Sequence, residues 1–158
     1  MSAKTRAVAE LDRAGVEHRV HDFGHDDTDR NYGKAAAAAL GVDEARVFKT
    51  LVVVADGRHA VGIVPVAGQL SLKRIAAALE AKKAEMCDPA VAQRITGYVV
   101  GGISPFGQKK RLPTVLDESA ASFDTIFVSG GRRGLDLELA PGALVSTLDA
   151  RLAAIAAL

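Results

Sequence analysis

Cysteine is almost missing: Cys87 stands alone among 158 residues. No intrachain disulfide can form, and a cysteine-rich metal site is excluded. Such usage fits a reducing compartment. Tryptophan is absent and aromatic residues amount to 4%, so a core must come from Val, Leu, Ile and Ala. Neither sign of charge dominates. Twenty basic residues against nineteen acidic ones leave +1, which excludes a histone-like coat for nucleic acid. A local basic patch remains compatible with that balance. No apolar run approaches the ~20 residues of a membrane span. Met1 to Arg6 leads into a mixed polar segment without the apolar stretch of a secretion signal. These absences predict a cytoplasmic protein with no membrane segment.

What is present describes a folded chain. Hydrophobic residues make up 49% and charged residues 25%, which excludes intrinsic disorder. The length suits a single domain over residues 1–158. A chain of this size buries roughly two-thirds of its unfolded surface and needs no staple. No repeat or linker interrupts it.

Val8 and Leu11 at helical spacing, then Gly15 as a stop, predict a helix over 5–14. Residues 16–23 read as extended and 24–32 as a polar loop. Lys34 to Leu40 reads as an alanine-rich helix ended by Gly41. Val47 to Ala55 is β-branched and reads as a buried strand. Asp56-Gly57 predicts a tight hairpin, with Arg58 to Val64 returning. Ser71 caps a helix over 72–79. Asp88-Pro89 opens another over 90–95. Residues 97–113 hold four of the fifteen glycines and two of the five prolines, so they form loops. Strands are expected at 114–116 and 125–129, with a glycine-rich turn at 130–134. Leu135, Leu137 and Leu139 alternate with Asp136 and Glu138, a strand with one buried face. Pro141 opens a last helical segment, 142–158. Hairpins mixed with helices, without βαβ alternation, predict an α+β domain whose mixed, mainly antiparallel sheet is flanked by helices.

Lys49 breaks the pattern of its strand. It shares a face with Val47, Leu51 and Val53. Two readings fit: a lysine snorkelling to water along its methylenes, or an ammonium held at a pocket wall to meet a phosphate or carbonyl oxygen. The segments 101–105 and 129–134 could bring backbone N–H groups to an anion or ester carbonyl; as plain tight turns they would need no ligand. Neither is a P-loop or a dinucleotide fingerprint. Basic residues cluster at Lys82-Lys83, at Lys109, Lys110 and Arg111, and at Arg132 and Arg133. Such clusters usually solvate a surface, yet beside ligand loops they suit an RNA backbone. His18 and His21 face opposite ways on a strand, and with His25 they form no helical i, i+4 pair, so no metal site is expected. No Gly-x-Ser-x-Gly elbow exists. Cys87 precedes a helix cap and reads as a small buried residue.

Five ordered blocks carry a resemblance: Phe48-Lys49-Thr50-Leu51, Pro65 to Leu70, Gly97 to Pro105, Gly107 to Pro113, and Val128 to Asp136. Together they resemble the YbaK family of bacterial Cys-tRNA(Pro) deacylases, relatives of the editing domain inserted in bacterial prolyl-tRNA synthetases. The likeness spans roughly residues 5 to 155. It implies a compact mixed domain that hydrolyses tRNA(Pro) mischarged with cysteine, acting in trans and engaging prolyl-tRNA synthetase in a ternary complex. Cysteine and proline are close in size, so a second site must remove the error.

The resemblance assigns the essential lysine to Lys49 and the loop glycine to Gly101. It implies substrate contacts for Thr50, Gly102, Ile103, Ser104, Ser129 and Asp136. It maps the family's two aromatics to Phe23 and Tyr32, with the hydroxyl exchanged between them. No cofactor or metal is implied. The substrate's own thiol attacks the ester and leaves as a thiolactone, so the protein need only position the ester and stabilise its oxyanion. An enzyme removing alanine from tRNA(Pro), or a non-catalytic tRNA or synthetase binder, would share much of this pattern.

Overall fold

The computed structural model describes residues 4–24 and 32–157, and Tyr32 by its backbone alone. Thr5 caps helix α1 (Arg6–Ala14) by accepting the Val8 N–H, and Gly15 ends it at φ 68°. Strand β1 (Arg19–Asp22) and helix α2 (Tyr32–Leu40) follow. A short 3-10 turn, Glu44–Arg46, capped by Asp43, leads into β2 (Phe48–Ala55). Asp56 and Gly57 both adopt positive φ, 49° and 81°. That geometry matches strand twist and returns the chain as β3 (Arg58–Pro65).

Beyond β3 lie β4 (Gln69–Leu70), α3 (Leu72–Ala78) capped by Ser71, and β5 (Ala84–Met86). Helix α4 (Pro89–Thr96) has Asp88 as its cap and proline in its first turn. The loops of 97–113 lead to β6 (Thr114–Asp117). Then come β7 (Ile126–Arg132), β8 (Leu135–Leu139) and α5 (Pro141–Leu148). Two short strands, β9 (Arg151–Ala153) and β10 (Ala156–Ala157), complete the described fold.

A five-stranded sheet runs β5-β2-β3-β6-β9, a three-stranded one β1-β8-β7, and β10 pairs with β4. The large sheet is mixed: β3–β6 and β6–β9 are parallel and the other pairs antiparallel. Its two faces are both covered. Val52, Ile63 and Leu116 pack with Leu11, Val128 and Leu137 of α1 and the smaller sheet. Val53, Val64 and Val115 pack with Ile75 of α3. Ala36, Ala37, Val47, Val66 and Phe127 seal α2 against the seam between the sheets. This is the expected α+β class. No helix among the described residues is long and apolar enough to cross a membrane.

Several elements differ from expectation. The helix expected over 142–158 stops at Leu148, where Asp149 turns left-handed at φ 53°. Two short strands follow it, because pairing with β6 and β4 satisfies more backbone than a continued exposed helix would. The turn expected at 130–134 is narrower. β7 runs on to Arg132 through a bulge between Ser129 and Arg132, which twists the strand locally. Tyr32, expected in a loop, begins α2. The rest of that expected loop, with His25, lies outside the described residues, apart from Gly24.

Candidate functional site

Strand β5 pairs with β2 only over Val53–Ala55, and the Cys87 N–H adds one bond to the Val52 carbonyl. Residues 48–51 therefore have no strand neighbour on that side among the described residues. A cavity of about 330 Å³ runs along this open edge. α2 contributes Gly33 and Ala36, and the turn into α4 contributes Met86, Cys87, Pro89 and Ala92. Val100, Gly101 and Ile103 close one end, with Ser129 and Asp136 beneath. The wall is mostly apolar with a few convergent polar groups, as in small-ligand sites.

Those polar groups are in unusual states. Lys49 is half-buried, and burial pulls its ammonium below the ordinary lysine value. The charge of nearby Lys34 pulls the same way. The Thr50 hydroxyl is buried without a hydrogen-bond partner. Asp136 is 7% exposed, and no side-chain partner for it is found among the described residues. Desolvation pushes its carboxyl up to about 7. Sequence alternation put Asp136 opposite the buried leucines, on an open face. The structure corrects this, since Asp136 meets the cavity while Glu138, on the same face, bonds His21, Arg46 and Thr125. Ser129 accepts the Gly131 N–H at 3.2 Å. Cys87 donates to the Asp88 carbonyl at 3.4 Å. Burial and the Asp88 charge both raise its thiol, Arg94 offsetting in part.

The expected site residues divide accordingly. Lys49, Thr50, Gly101, Ile103, Ser129 and Asp136 line one cavity. Gly102 lies behind it: a Cβ there would sit 2.8 Å from the Arg132 Cα, so only glycine lets the two loops close. Its N–H bonds the Val99 carbonyl at 2.9 Å. Ser104 is fully buried and accepts the Phe106 N–H. Phe23 packs with Ala36, Val47 and Phe127. The Tyr32 ring lies outside the described residues.

None of the five expected tRNA contacts lines the cavity. Arg132 pairs with Asp22 at 2.7 Å, and Arg133 reaches over the loop to the Val100 carbonyl at 2.9 Å. Arg111 bonds the Thr147 carbonyl and faces a second groove beside Arg58 and Asp149. Lys109 and Lys110 are exposed. Two of the histidines are engaged elsewhere: His18 Nδ1 meets the Val16 carbonyl, and His21 Nε2 meets Glu138 at 2.9 Å. Sequence reasoning missed Lys34, whose only sequence signal was a charge opening an alanine run. It also missed the apolar wall from Met86 to Ala92, which periodicity cannot distinguish from core.

A family model for the aminoacyl-tRNA editing domain matches residues 30–147. EbsC of Enterococcus faecalis, provisionally named a Cys-tRNA(Pro)/Cys-tRNA(Cys) deacylase, is 37% identical over 153 residues, covering 96% of this chain and 93% of EbsC. A proline–tRNA ligase of Acidithiobacillus ferrooxidans is 33% identical over 92 residues, 56% of this chain and 16% of the ligase. A crystal structure provisionally described as a trans-editing enzyme for prolyl tRNA synthetase superposes with a TM-score of 0.87 at 22% identity, covering 99% of this chain and 100% of that one. Hypothetical protein APE2540 gives 0.87 at 23%, covering 97% and 100%. Both structures share this fold. With the editing-domain match running from Arg30 to Thr147 and the EbsC likeness nearly end to end, this chain belongs to the aminoacyl-tRNA editing domain family.

Proposed function

We propose that the chain is a trans-editing hydrolase that deacylates Cys-tRNA(Pro) in the cytoplasm, using the substrate's own thiol. The nearly full-length likeness to EbsC carries the substrate class. The chemistry of the cavity supports the mechanism. Its hydroxyl and thiol groups make no hydrogen bond to a base among the described residues: Ser129 accepts the Gly131 N–H, Thr50 has no partner, and Cys87 donates to the Asp88 carbonyl with its thiol raised by burial.

In this reading the aminoacyl group enters along the open edge of β2. The cysteinyl sulfur attacks its own carbonyl carbon, and the carbon–oxygen bond to the ribose breaks. The thiol proton ends on the ribose hydroxyl. The products are free tRNA and a thiolactone that water opens to cysteine. The protein holds the ester in an attack geometry and stabilises its oxyanion. Lys49 meets the terminal nucleotide or its phosphate, and the backbone at Gly101 faces the carbonyl. Asp136 takes the α-ammonium, which would supply the charge partner its burial lacks.

Hydrolysis of Cys-, Ser-, Ala- and Pro-tRNA(Pro) tests the reading. Cys-tRNA(Pro) should be cleaved fast and Ser-tRNA(Pro) much more slowly, because a hydroxyl is the poorer nucleophile. Preferred cleavage of Ala-tRNA(Pro) would replace the thiol mechanism with ordinary hydrolysis. tRNA binding without any cleavage would make the chain a binding module. Cys87→Ala is expected to retain near wild-type turnover; loss of activity in a folded variant would restore covalent catalysis by the protein.

The exposed lysines after the glycine loop serve the RNA backbone, and prolyl-tRNA synthetase delivers the tRNA in a ternary complex. Replacing Lys109 and Lys110 together by alanine should raise KM more than it lowers kcat. Each lost phosphate contact should flatten the log–log salt slope by somewhat under ~1. An unchanged slope would leave the synthetase as the main source of affinity.

A further inference from the structure

The first turn of α1 touches both loops that close the cavity, although about ninety or more residues separate them in sequence. The Thr5 hydroxyl accepts the Val8 N–H and donates to the Gly130 carbonyl at 2.5 Å. The Arg6 guanidinium donates to the Thr96 carbonyl at 3.1 Å and lies 5.0 Å above the Tyr98 ring. Tyr98 is buried and donates across the loop to the Phe106 carbonyl at 2.6 Å.

The packing leaves no slack. A Cβ on Gly107 would meet the Arg6 carbonyl carbon at 2.5 Å, and one on Gly131 would meet Tyr98 at 3.0 Å and Thr5 at 3.1 Å. Gly101 sits inside the loop that Tyr98 spans. Ser129 directly precedes the Gly130 that Thr5 holds. We infer that Thr5, Arg6 and Tyr98 form a clamp that fixes the spacing between the Gly101 loop and the Ser129 strand, and so act as positioning residues for deacylation.

The clamp's catalytic consequence rests on the proposed reaction. A reacting group displaced by about 1 Å can cost on the order of a hundredfold in rate, whereas binding of the distant tRNA body is unaffected. Thr5→Asp keeps a good helix cap and removes the donor to Gly130. Tyr98→Phe keeps the ring under Arg6 and removes the bond to Phe106. Both should lower kcat for Cys-tRNA(Pro) about tenfold or more, with KM within about twofold. Thr5→Ser should restore the wild-type rate.

Amide hydrogen exchange on the protein alone reads the clamp without any substrate. Exchange over residues 97–107 and 129–134 should quicken at least about tenfold in both variants, while that of β2 and β3 stays unchanged. Unchanged loop exchange would overturn the clamp, and so would faster exchange with an unchanged kcat. A uniform rise across the whole protein would also overturn it, marking ordinary destabilisation. Should the wild type leave Cys-tRNA(Pro) intact, the proposed substrate falls, and the exchange pattern alone decides whether the clamp holds these loops.

Discussion

Lys49→Ala is expected to fold normally and to lose roughly a hundredfold or more in kcat/KM for Cys-tRNA(Pro), the scale of removing one preorganised charge or donor from a reaction site. Folding should survive because the ammonium has no carboxylate partner among the described residues, so nothing is left unpaired when it goes. Its half-buried position already disfavours the charged form. Lys49→Met should therefore melt at or above the wild-type temperature while remaining as inactive as Lys49→Ala. Lys49→Arg should also be poor, since a planar fork does not reproduce a point ammonium on the cavity wall. Single-turnover cleavage rates, compared with melting temperatures, separate the two effects. Near wild-type cleavage by purified Lys49→Ala would return this lysine to the snorkelling reading.

The parts of the fold that announce themselves locally were legible. Asp56-Gly57 needs positive φ at both positions and gets it, and Ser71 and Asp88-Pro89 cap the helices their chemistry predicts. Pairing that depends on distant partners was not legible. β4, β5, β9 and β10 are two or three residues long, too short to carry a period, and exist because a neighbouring strand offers hydrogen bonds. The tail was misread because the helix stop is Asp149 in the left-handed region rather than a glycine. At the site, Lys49 could be found from its own strand, as a charge among aliphatic residues. Asp136 could be reached only through the family resemblance. Its alternation with leucines describes a solvent face, and only the folded structure turns Asp136 into the cavity. Thr5 and Arg6 gave no signal beyond a helix start, since their role depends on loops distant in sequence.

Asp136→Asn is expected to stabilise the protein above pH 7 and to leave it little changed near pH 4. Asp12, Asp22, Asp56 and Asp117 are held below their ordinary pKa by hydrogen-bond partners, and stability from such groups is lost as pH falls. Asp136 is the opposite case: its carboxyl rises from 3.8 to about 7 because burial disfavours the charge. Between those values the folded state keeps a proton that the unfolded state has released. Stability from this group is therefore fully present below about pH 4 and is lost as pH rises through about 7. A shift of about three units corresponds to about 4 kcal/mol at 1.36 kcal/mol per unit, an upper bound for what the neutral amide recovers at pH 8. Urea unfolding of both proteins at several pH values between 4 and 8 reads the difference directly, because the other carboxylates cancel between them. The gap should open steadily above pH 4 and level off above 7. Parallel curves would mean that the carboxylate has a partner in solution. The same substitution should cripple cleavage, for the amide cannot pair with an α-ammonium. A variant that is more stable and less active above pH 7 is the combination expected of a charge kept in the cavity for the substrate, at the expense of the empty fold.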